Sequence, residues 1–444
     1  MPAPETLPRI RRRLPWEWIG LAALVVAATT VGVLFVDLDA DEQSESAVRV
    51  ELQALLDSWA EAVRTDDRAA FAGIVDTGTG TGPELLEAEV DRARALRSVP
   101  LADFGYELGA EPTVGVPGEV SDRFGGDPVR SLTALLRYEI AGVDEAPTRK
   151  PVTLLVVSRD DGWKIASDRP LPDSVSTTWR GPWDHGPLDV TTTATAGGTS
   201  MILAHPDTAD LAADIADELP SAVDAVSKVW GADWPKRSLI WVTSSRDEFT
   251  DLVGTAHNGD EIAAVAISDA VDPERDRATG QRIVFSPAAG SRLSRQGLRA
   301  VLRHELTHIA ARPRTVDGSP LWILEGYADY IGYRSDDGVP VTGADLRRIA
   351  PNLAEDVVLR GAPSQIPTDD DFADPDRSRT AYETAWSLAA FLAEEHGRDQ
   401  LTALYRALAD GPAGDDLSHD FAATVGASVD EVVDRWGEWL SNRL

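Results

Sequence analysis

Apolar and polar positions divide the chain into three regions with different patterns. Residues 18–36 form an uninterrupted apolar run. Residues 46–172 carry apolar positions first at helical and then at strand spacing, and residues 188–444 alternate strand and helix patterns before becoming helical. At 444 residues the chain is too long for one ordinary domain. The pattern therefore predicts an α+β protein with more than one domain behind a single apolar segment.

The apolar run at residues 18–36 is about as long as a helix needs to cross a bilayer. Arginines between residues 9 and 13 precede it, and the acidic stretch 37–42 follows it. Because positive flanks stay in the cytoplasm, we predict a cytoplasmic basic tail over 1–17, a single transmembrane helix over 18–36 and an extracytoplasmic remainder. The alternative is a cleaved signal peptide, but its apolar region would be shorter, and no small-x-small cleavage site follows Val36.

Residues 46–172 predict a separate α+β domain. Helical spacing covers 48–63, 67–75 and 83–97, and strand patterns cover 103–109, 131–140 and 152–158 before a tight turn at 160–162 leads into 163–165. Helices followed by a curved meander resemble the nuclear transport factor two-like cone, a resemblance of pattern that implies a cone-like middle domain. We expect Tyr106, Tyr138 and Trp163 to be core or strand residues, and the domain to be a spacer or a partner-docking module.

Residues 173–187 have the composition of a linker, with Trp179 and Trp183 expected to pack on a neighbour. The third domain, 188–444, follows. Its predicted strands are 200–205, 239–243, 262–268 and 282–285, and its early helices are 208–230 and 245–253. Later helices are predicted at 343–350, 381–396, 399–409, 417–425 and 428–440, with an acidic loop at 369–376.

An H-E-x-x-H motif, His304 to His308, lies in this third domain. On a helix the two histidines lie one turn apart on the same face, so their imidazoles can bind one metal ion with Glu305 beside it. Ser294 is a candidate N-cap, and Pro313 ends the helix. Residue frequencies give roughly a one-in-a-hundred chance of this motif in such a chain. The alternative is an amphipathic helix with two surface histidines.

A catalytic zinc needs a third protein ligand, and Glu325 is the best candidate. We expect it on a second helix with Ser319 as N-cap and Pro320 in the first turn. Asp329 follows Glu325 by four residues and shares its helix face. Because ligating histidines usually donate their second N–H to a carboxylate or carbonyl, Asp329 is a candidate support for one of them.

Together the two motifs resemble the gluzincin metallopeptidases, the thermolysin and aminopeptidase N type. The resemblance implies zinc held by His304, His308 and Glu325, Glu305 as general base and Asp329 behind a zinc-binding histidine. It also implies a mixed N-terminal lobe, a helical C-terminal lobe and an edge strand, 262–267 or 282–285, that binds the substrate backbone. The gap between His308 and Glu325 is slightly shorter than is usual in thermolysin-like enzymes, so we expect a tighter helix connection.

A third stretch, Tyr382 to Leu392, resembles the Y-E-x-G region of aminopeptidase N-type enzymes, with Ala385 in the glycine position. The resemblance implies that the Tyr382 hydroxyl stabilises an oxyanion. The alternative is a tyrosine that merely packs at the start of a helix. No G-x-M-E-N motif occurs, which weakens any expectation that a free substrate amino terminus is recognised.

Composition excludes several classes of function. The net charge of −32 argues against nucleic-acid binding, and a chain without cysteine has no disulfide framework or thiol chemistry. His205, His257 and His419 stand in no partner pattern, so we expect surface or structural roles for them. The sequence as a whole predicts a membrane-anchored, zinc-dependent metallopeptidase with peptide or protein substrates. The alternatives are a degenerate peptidase fold used as a binding module and a zinc hydrolase of non-peptide substrates; the oligomeric state stays open.

Overall fold

Two β-sheets flanked by helices organise the chain in the computed structural model. The structure describes residues 27–78, 81–110, 115–172, 174–255, 262–335, 339–411 and 417–444, with side chains in the first helix from residue 45 onward. Contacts divide the chain after Leu52, and every contact discussed below lies within Gln53–Leu444. The fold is mixed α+β, as predicted.

The first described helix, α1, spans Ala27–Thr65 and includes the predicted helix 48–63. The predicted tail 1–17 lies outside the described residues. The predicted transmembrane segment 18–36 lies partly outside them, and the side chains of its remainder are not described, so both stay predictions. Within the part of the chain that the structure describes, no helix is long and apolar enough to cross a membrane.

The first sheet is a four-stranded antiparallel meander in the order β1-β2-β3-β4. The strands confirm the predicted ones and run slightly longer: β1 Leu101–Leu108, β2 Val129–Ile140, β3 Thr148–Arg159 and β4 Gly162–Ser167. The helices are α2 Arg68–Ile74, α3 Gly82–Leu96 and the short α4 Gly118–Ser121. The order of helices and then a meander is therefore confirmed, whereas the resemblance to the nuclear transport factor two-like cone stays a prediction.

Aromatic side chains form the centre of this first sheet region. Tyr106 stacks on Trp59 with ring centroids 4.0 Å apart, and Tyr138 stacks on Trp179 at 5.6 Å. Tyr106, Tyr138 and Trp183 are buried, and Trp163 on β4 is half-buried. The core or strand roles predicted for the three residues on strands, and the packing predicted for the linker tryptophans, are confirmed.

The second sheet has five strands in the order β5-β6-β7-β11-β8. Pairs β6–β7 and β7–β11 are parallel, and pairs β5–β6 and β11–β8 are antiparallel. The strands are β5 Asp189–Thr195, β6 Gly198–Ala204, β7 Leu239–Val242, β8 Ala264–Ile267 and β11 Arg282–Phe285, with a separate hairpin of β9 Ala270–Asp272 and β10 Arg277–Thr279. Strand β5 and this hairpin were not predicted. Strand β5 was missed because it consists mainly of Thr and Ala and lacks the large apolar residues typical of a buried strand.

The helices after β6 are α5 Ala209–Trp230, α6 Arg246–Val253, α7 Ala289–Arg292, α8 Arg295–Ala311, α9 Leu321–Tyr333, α10 Gly343–Ile349, α11 Pro351–Arg360, α12 Asp369–Ala373, α13 Ser378–Glu395, α14 Arg398–Leu408, α15 Leu417–Val425 and α16 Val429–Ser441. Helices α5, α6 and α8 pack against the second sheet, and the later helices pack on α8, α9 and one another. The prediction of an acidic loop over 369–376 is wrong for residues 369–373, because Thr368 and Asp371 form a capping box that starts α12; residues 374–376 form a turn.

A buried ion pair joins the two sheet regions. Arg282 on β11 donates from Nη1 and Nη2 to the two carboxylate oxygens of Asp144, at 2.6 and 2.8 Å, and its guanidinium lies over the rings of Tyr138 and Trp241. Asp144 belongs to the turn between β2 and β3. Removing either partner would leave an uncompensated buried charge, so this contact ties the β2–β3 hairpin to β11. The domain boundaries at 172 and 188 stay predictions.

Candidate metal centre

Helix α8 carries the H-E-x-x-H residues and begins as predicted. Ser294 caps it, with its Oγ accepting from the Gly297 N–H at 3.1 Å. The helix ends at Ala311, two residues before Pro313. One face of α8 is buried in the core through Leu298, Leu302 and Leu306. His304 and His308 lie one turn apart toward a cleft, where their side chains stay 17% and 24% exposed.

Helix α9 carries Glu325 and Asp329, and two glycines let it approach its neighbours closely. A Cβ on Gly332 would meet the Ala300 carbonyl oxygen of α8 at 2.8 Å, and a Cβ on Gly326 would meet the Ala385 carbonyl oxygen of α13 at 2.5 Å. Helix α9 is therefore packed tightly between α8 and α13, because only residues without a side chain fit at those two contacts.

The predicted cap of α9 is wrong. Pro320 is the N-cap residue, and the Ser319 hydroxyl donates instead to the carbonyl oxygens of Val316 and Ala409, at 2.8 and 3.0 Å. The Leu321 N–H donates to the Asp369 carboxylate at 2.9 Å, so a residue far along the chain satisfies the helix start.

Three candidate ligand atoms meet between α8 and α9. One atom each from His304, His308 and Glu325 lie within 4.8 Å of one another. The His304 and His308 Nε2 atoms are 3.0 Å apart, and Glu325 Oε2 lies 3.4 and 3.7 Å from them. Two imidazole nitrogens and one carboxylate oxygen are the donor set of catalytic zinc sites, which leave one position open. The residues present therefore fit zinc.

Asp329 holds the ring of His304 from behind. The Asp329 Oδ1 atom lies 2.8 Å from His304 Nδ1, so that nitrogen carries the proton and Nε2 is left facing the centre. Burial lowers the pKa of His304, but Asp329 and Glu325 outweigh it and hold that pKa well above its ordinary value. The carboxylates thus create a site that favours positive charge.

Glu305 lies beside the three donors and is almost fully buried, at 6% exposure. Its burial raises the pKa of the carboxyl, while His304 and His308 and a hydrogen bond from the Ala266 backbone oppose that rise. A carboxyl whose pKa is raised by burial is suited to accept and release a proton near neutral pH.

The donors open into a cleft of about 550 Å³. Tyr382 of α13 lines it, as do Tyr333, Tyr405 and Arg312, which were not singled out from the sequence. Burial raises the pKa of Tyr382, and the nearby carboxylates of Glu325, Asp329 and Glu305 raise it further, so its phenol stays protonated and able to donate. Tyr333 follows Asp329 by four residues on α9, a spacing that was available as a signal.

Strand β8 forms one wall of the cleft. It is an edge strand of the second sheet, paired on one side with β11, whereas β11 lies inside the sheet between β7 and β8. Strand β11 is paired on both sides, so residues 282–285 are excluded as an edge to which a substrate could add. Residues 264–267 remain the candidate.

Among the described residues, the other histidines named from the sequence are not part of this group of donors. His205 is buried, with Nδ1 2.9 Å from the Pro187 carbonyl oxygen and Nε2 2.8 Å from Glu248 Oε1, so its role is structural as expected. His419 is exposed on α15, and His257 lies outside the described residues.

Comparisons with known proteins match the fold only distantly. No family model matches the chain, and no curated protein sequence matches it. Among solved structures, the chain is similar to a variant M1 zinc metallopeptidase from Deinococcus radiodurans bound to a Tyr-Ser-Ala substrate, with a TM-score of 0.35 at 11% identity over 72% of this chain and 91% of that one. Another structure of an M1 zinc metallopeptidase from the same organism gives a TM-score of 0.36 at 12% identity, over 70% and 90% of the two chains. A likeness this distant carries no functional weight, so function has to come from the centre itself.

Proposed function

We propose that the chain is a zinc-dependent metallopeptidase that hydrolyses peptide bonds. The observation that carries this proposal is the convergence of His304, His308 and Glu325 on one point, with Asp329 bound behind His304. Three ligands with an open fourth position suit catalysis, whereas structural zinc sites are closed by four protein ligands. Bound zinc would polarise a carbonyl and lower the pKa of a water molecule in that position.

Glu305 has the position and the environment of a general base. It is next to His304 on α8, and its buried carboxyl faces the same cleft. It would take a proton from the attacking water and pass it to the leaving amine. Tyr382 lines the same cleft and would donate its hydroxyl proton in a hydrogen bond to the carbonyl oxygen as negative charge develops there.

Strand β8 supports a peptide as the substrate. Its outer edge borders the cleft, so an extended peptide can add to the sheet and bring a backbone carbonyl toward the metal centre. Arg312, whose side chain is 31% exposed, lines the same cleft and would contact the flanking residues of that peptide.

We also propose that an N-terminal apolar helix anchors this enzyme in a membrane. Residues 18–36 would anchor the protein as a single-pass helix with a cytoplasmic N-terminus, which would put the metal centre outside the membrane. The basic residues before this segment and the acidic residues after it support that orientation.

Zinc content and hydrolysis, measured on the same preparations, test the proposal. Protein from residue 46 onward should bind about one zinc per chain, and His304→Ala, His308→Ala and Glu325→Ala should each lose it, since two ligands hold the ion poorly. The control is His419→Ala, which removes an exposed histidine. Stoichiometric zinc in the two histidine variants would refute the metal site, and zinc retained in Glu325→Ala alone would assign the third ligand to another carboxylate.

Glu305→Gln separates chemistry from binding. The amide cannot accept a proton, so the variant should keep its zinc and lose peptide hydrolysis by about 100-fold or more. Zinc binding without hydrolysis of any peptide in a library, by the unaltered protein, would instead indicate a binding module. Hydrolysis of esters or other non-peptide substrates alone would indicate a different zinc hydrolase.

A further inference from the structure

Strand β8, which is proposed above to pair with the substrate backbone, is short. It has four residues, pairs with β11 alone among the described strands, and contributes Ala264, Val265 and Ala266 to the wall of the cleft. Glu305 lines the same cleft as these residues. A short strand with one partner is held by few hydrogen bonds and opens locally at low free energy, so its position depends on what holds its ends.

Asp269 follows the end of β8 by two residues, and the first sheet region holds its carboxylate. The Thr148 hydroxyl donates to Asp269 Oδ2 at 2.8 Å, and the Lys150 ammonium forms an ion pair with Asp269 Oδ1. Both residues lie on β3, more than a hundred positions earlier in the chain. Thr148 is buried, and the side chains of Lys150 and Asp269 are only 21% and 18% exposed, so solvent competes weakly for these contacts.

The backbone around Asp269 leaves room for its carboxylate to point toward β3. The Asp269 N–H donates to the Thr279 carbonyl oxygen at 2.9 Å. Gly280, the residue after Thr279, has a φ of +63°, and a Cβ there would lie 1.8 Å from Asp269 Oδ2. The carboxylate therefore passes over a glycine that leaves it room, toward the two donors on β3.

A neighbouring contact connects the same segment to the metal-binding helix. Arg312, the residue that caps the end of α8, donates from Nε to the Ser268 hydroxyl at 3.2 Å. The end of β8 is thus held between the β2–β3 hairpin on one side and the end of α8 on the other.

We propose that Asp269 is a positioning residue of the cleft, through which Thr148 and Lys150 of the first sheet region hold edge strand β8 in place beside Glu305. The middle domain is then part of the peptide-binding apparatus and does more than separate the catalytic part from the membrane. This inference rests on the proposed function for its catalytic consequence, but the holding of β8 can be measured without any substrate.

Hydrogen–deuterium exchange of the zinc-loaded protein tests the holding directly. Thr148→Val removes one donor without changing the shape of the side chain, and Asp269→Asn removes the charge that Lys150 pairs with. Either change should speed amide exchange across 264–269 by roughly 3- to 10-fold, with exchange in α8 and the zinc content unchanged. Lys150→Arg keeps the charge and should stay close to the unaltered protein.

Lys164→Met is the matched control. Lys164 lies on β4 of the same sheet and pairs with Asp161, with no contact to the second sheet region among the described residues. It should leave exchange in 264–269 unchanged. Unaltered exchange at 264–269 in both Thr148→Val and Asp269→Asn, or an equal rise in Lys164→Met, would overturn the proposal.

Kinetics then show whether the held strand serves substrate binding. Thr148→Val should raise KM several-fold for a peptide long enough to pair along β8, and raise it less for the shortest cleaved peptide. A merely structural role would lower the amount of active protein and leave both KM values unchanged. Absence of hydrolysis by the unaltered protein would refute the proposed function alone, because the exchange result stands by itself.

Discussion

At the scale of single residues, two phenols are candidates for the proposed role of oxyanion donor. Tyr382 and Tyr333 both line the cleft and are similarly exposed, at 38% and 41%. They come from different helices, α13 and α9, and only Tyr382 stands in the stretch that resembles the aminopeptidase N-type motif. Phe372 packs edge-on against the Tyr382 ring at 5.0 Å and fixes its orientation.

Removing one hydroxyl at a time distinguishes them. Tyr382→Phe should lower kcat by about 100-fold with little change in KM, because the donor acts on charge that develops only in the transition state. Tyr333→Phe is the matched control and should stay within a few-fold of the unaltered enzyme. Steady-state kinetics on one peptide measure both, and the reverse ranking would transfer the role to Tyr333.

Part of the candidate metal centre was predictable from local spacing in the sequence. Helical spacing predicts that His304 lies next to His308 and Glu325 next to Asp329. That the two pairs meet was implied only by the family resemblance. The role of Asp369 was not predictable, since it satisfies the start of α9 from a distance of 48 positions along the chain. No local pattern carries a contact of that kind.

At the scale of elements, a buried histidine connects the end of strand β6 to its surroundings. His205 follows β6, and both of its ring nitrogens face acceptors, the Pro187 carbonyl oxygen and the carboxylate of Glu248 on α6. Burial lowers the pKa of His205, but the hydrogen bond and charge of Glu248 outweigh it and raise that pKa above its ordinary value. Asp207 adds to the rise.

This raised pKa predicts a pH dependence of stability. Below the ordinary histidine pKa, about 6.5, both folded and unfolded chains hold the proton and the contribution of His205 is complete. As the pH rises through the higher pKa of the folded state, the proton is lost and the free energy of unfolding falls. His205→Gln cannot titrate, so this part of the pH dependence should disappear.

Denaturant unfolding between pH 6 and pH 9 measures the effect. At pH 6 the variant should also be less stable by about 1–3 kcal/mol, because Glu248 stays buried without its charged donor. His419→Gln, which alters an exposed histidine, is the control. A pH profile of His205→Gln that parallels the unaltered protein would contradict the assignment.

The order of elements was largely predictable, whereas their contacts were not. Apolar periodicity located α5, β7 and α13 to within a few residues, because each buries a strongly patterned face. The close approach of α9 to its neighbours depends on Gly326 and Gly332, whose need for space appears only once the helices are placed. The choice of β8 over β11 as the edge likewise required the sheet order.

At the scale of the whole molecule, the proposed anchor predicts a topology. Protease added to intact cells should digest the chain beyond residue 37 and spare the cytoplasmic tail, because the arginines before residue 18 stay inside. The protein should remain with membranes after a high-salt wash, since an apolar helix and not surface charge retains it. Immunoblots against tags at the two ends measure both outcomes. Release of the domain into the medium with a new N-terminus between residues 37 and 40 would show a cleaved signal peptide instead.

The shortness of β8 limits which proteins the proposed enzyme can attack. An extended chain rises about 3.3 Å per residue, so the four residues of β8 pair with a similar length of substrate and no more. A segment can lie there only if it is already free of its own secondary structure, because its backbone groups must be available to the strand. Tails, linkers and partly unfolded chains satisfy this requirement, while the surface of an intact folded protein does not. The enzyme would then distinguish its substrates by their state of folding as well as by their side chains.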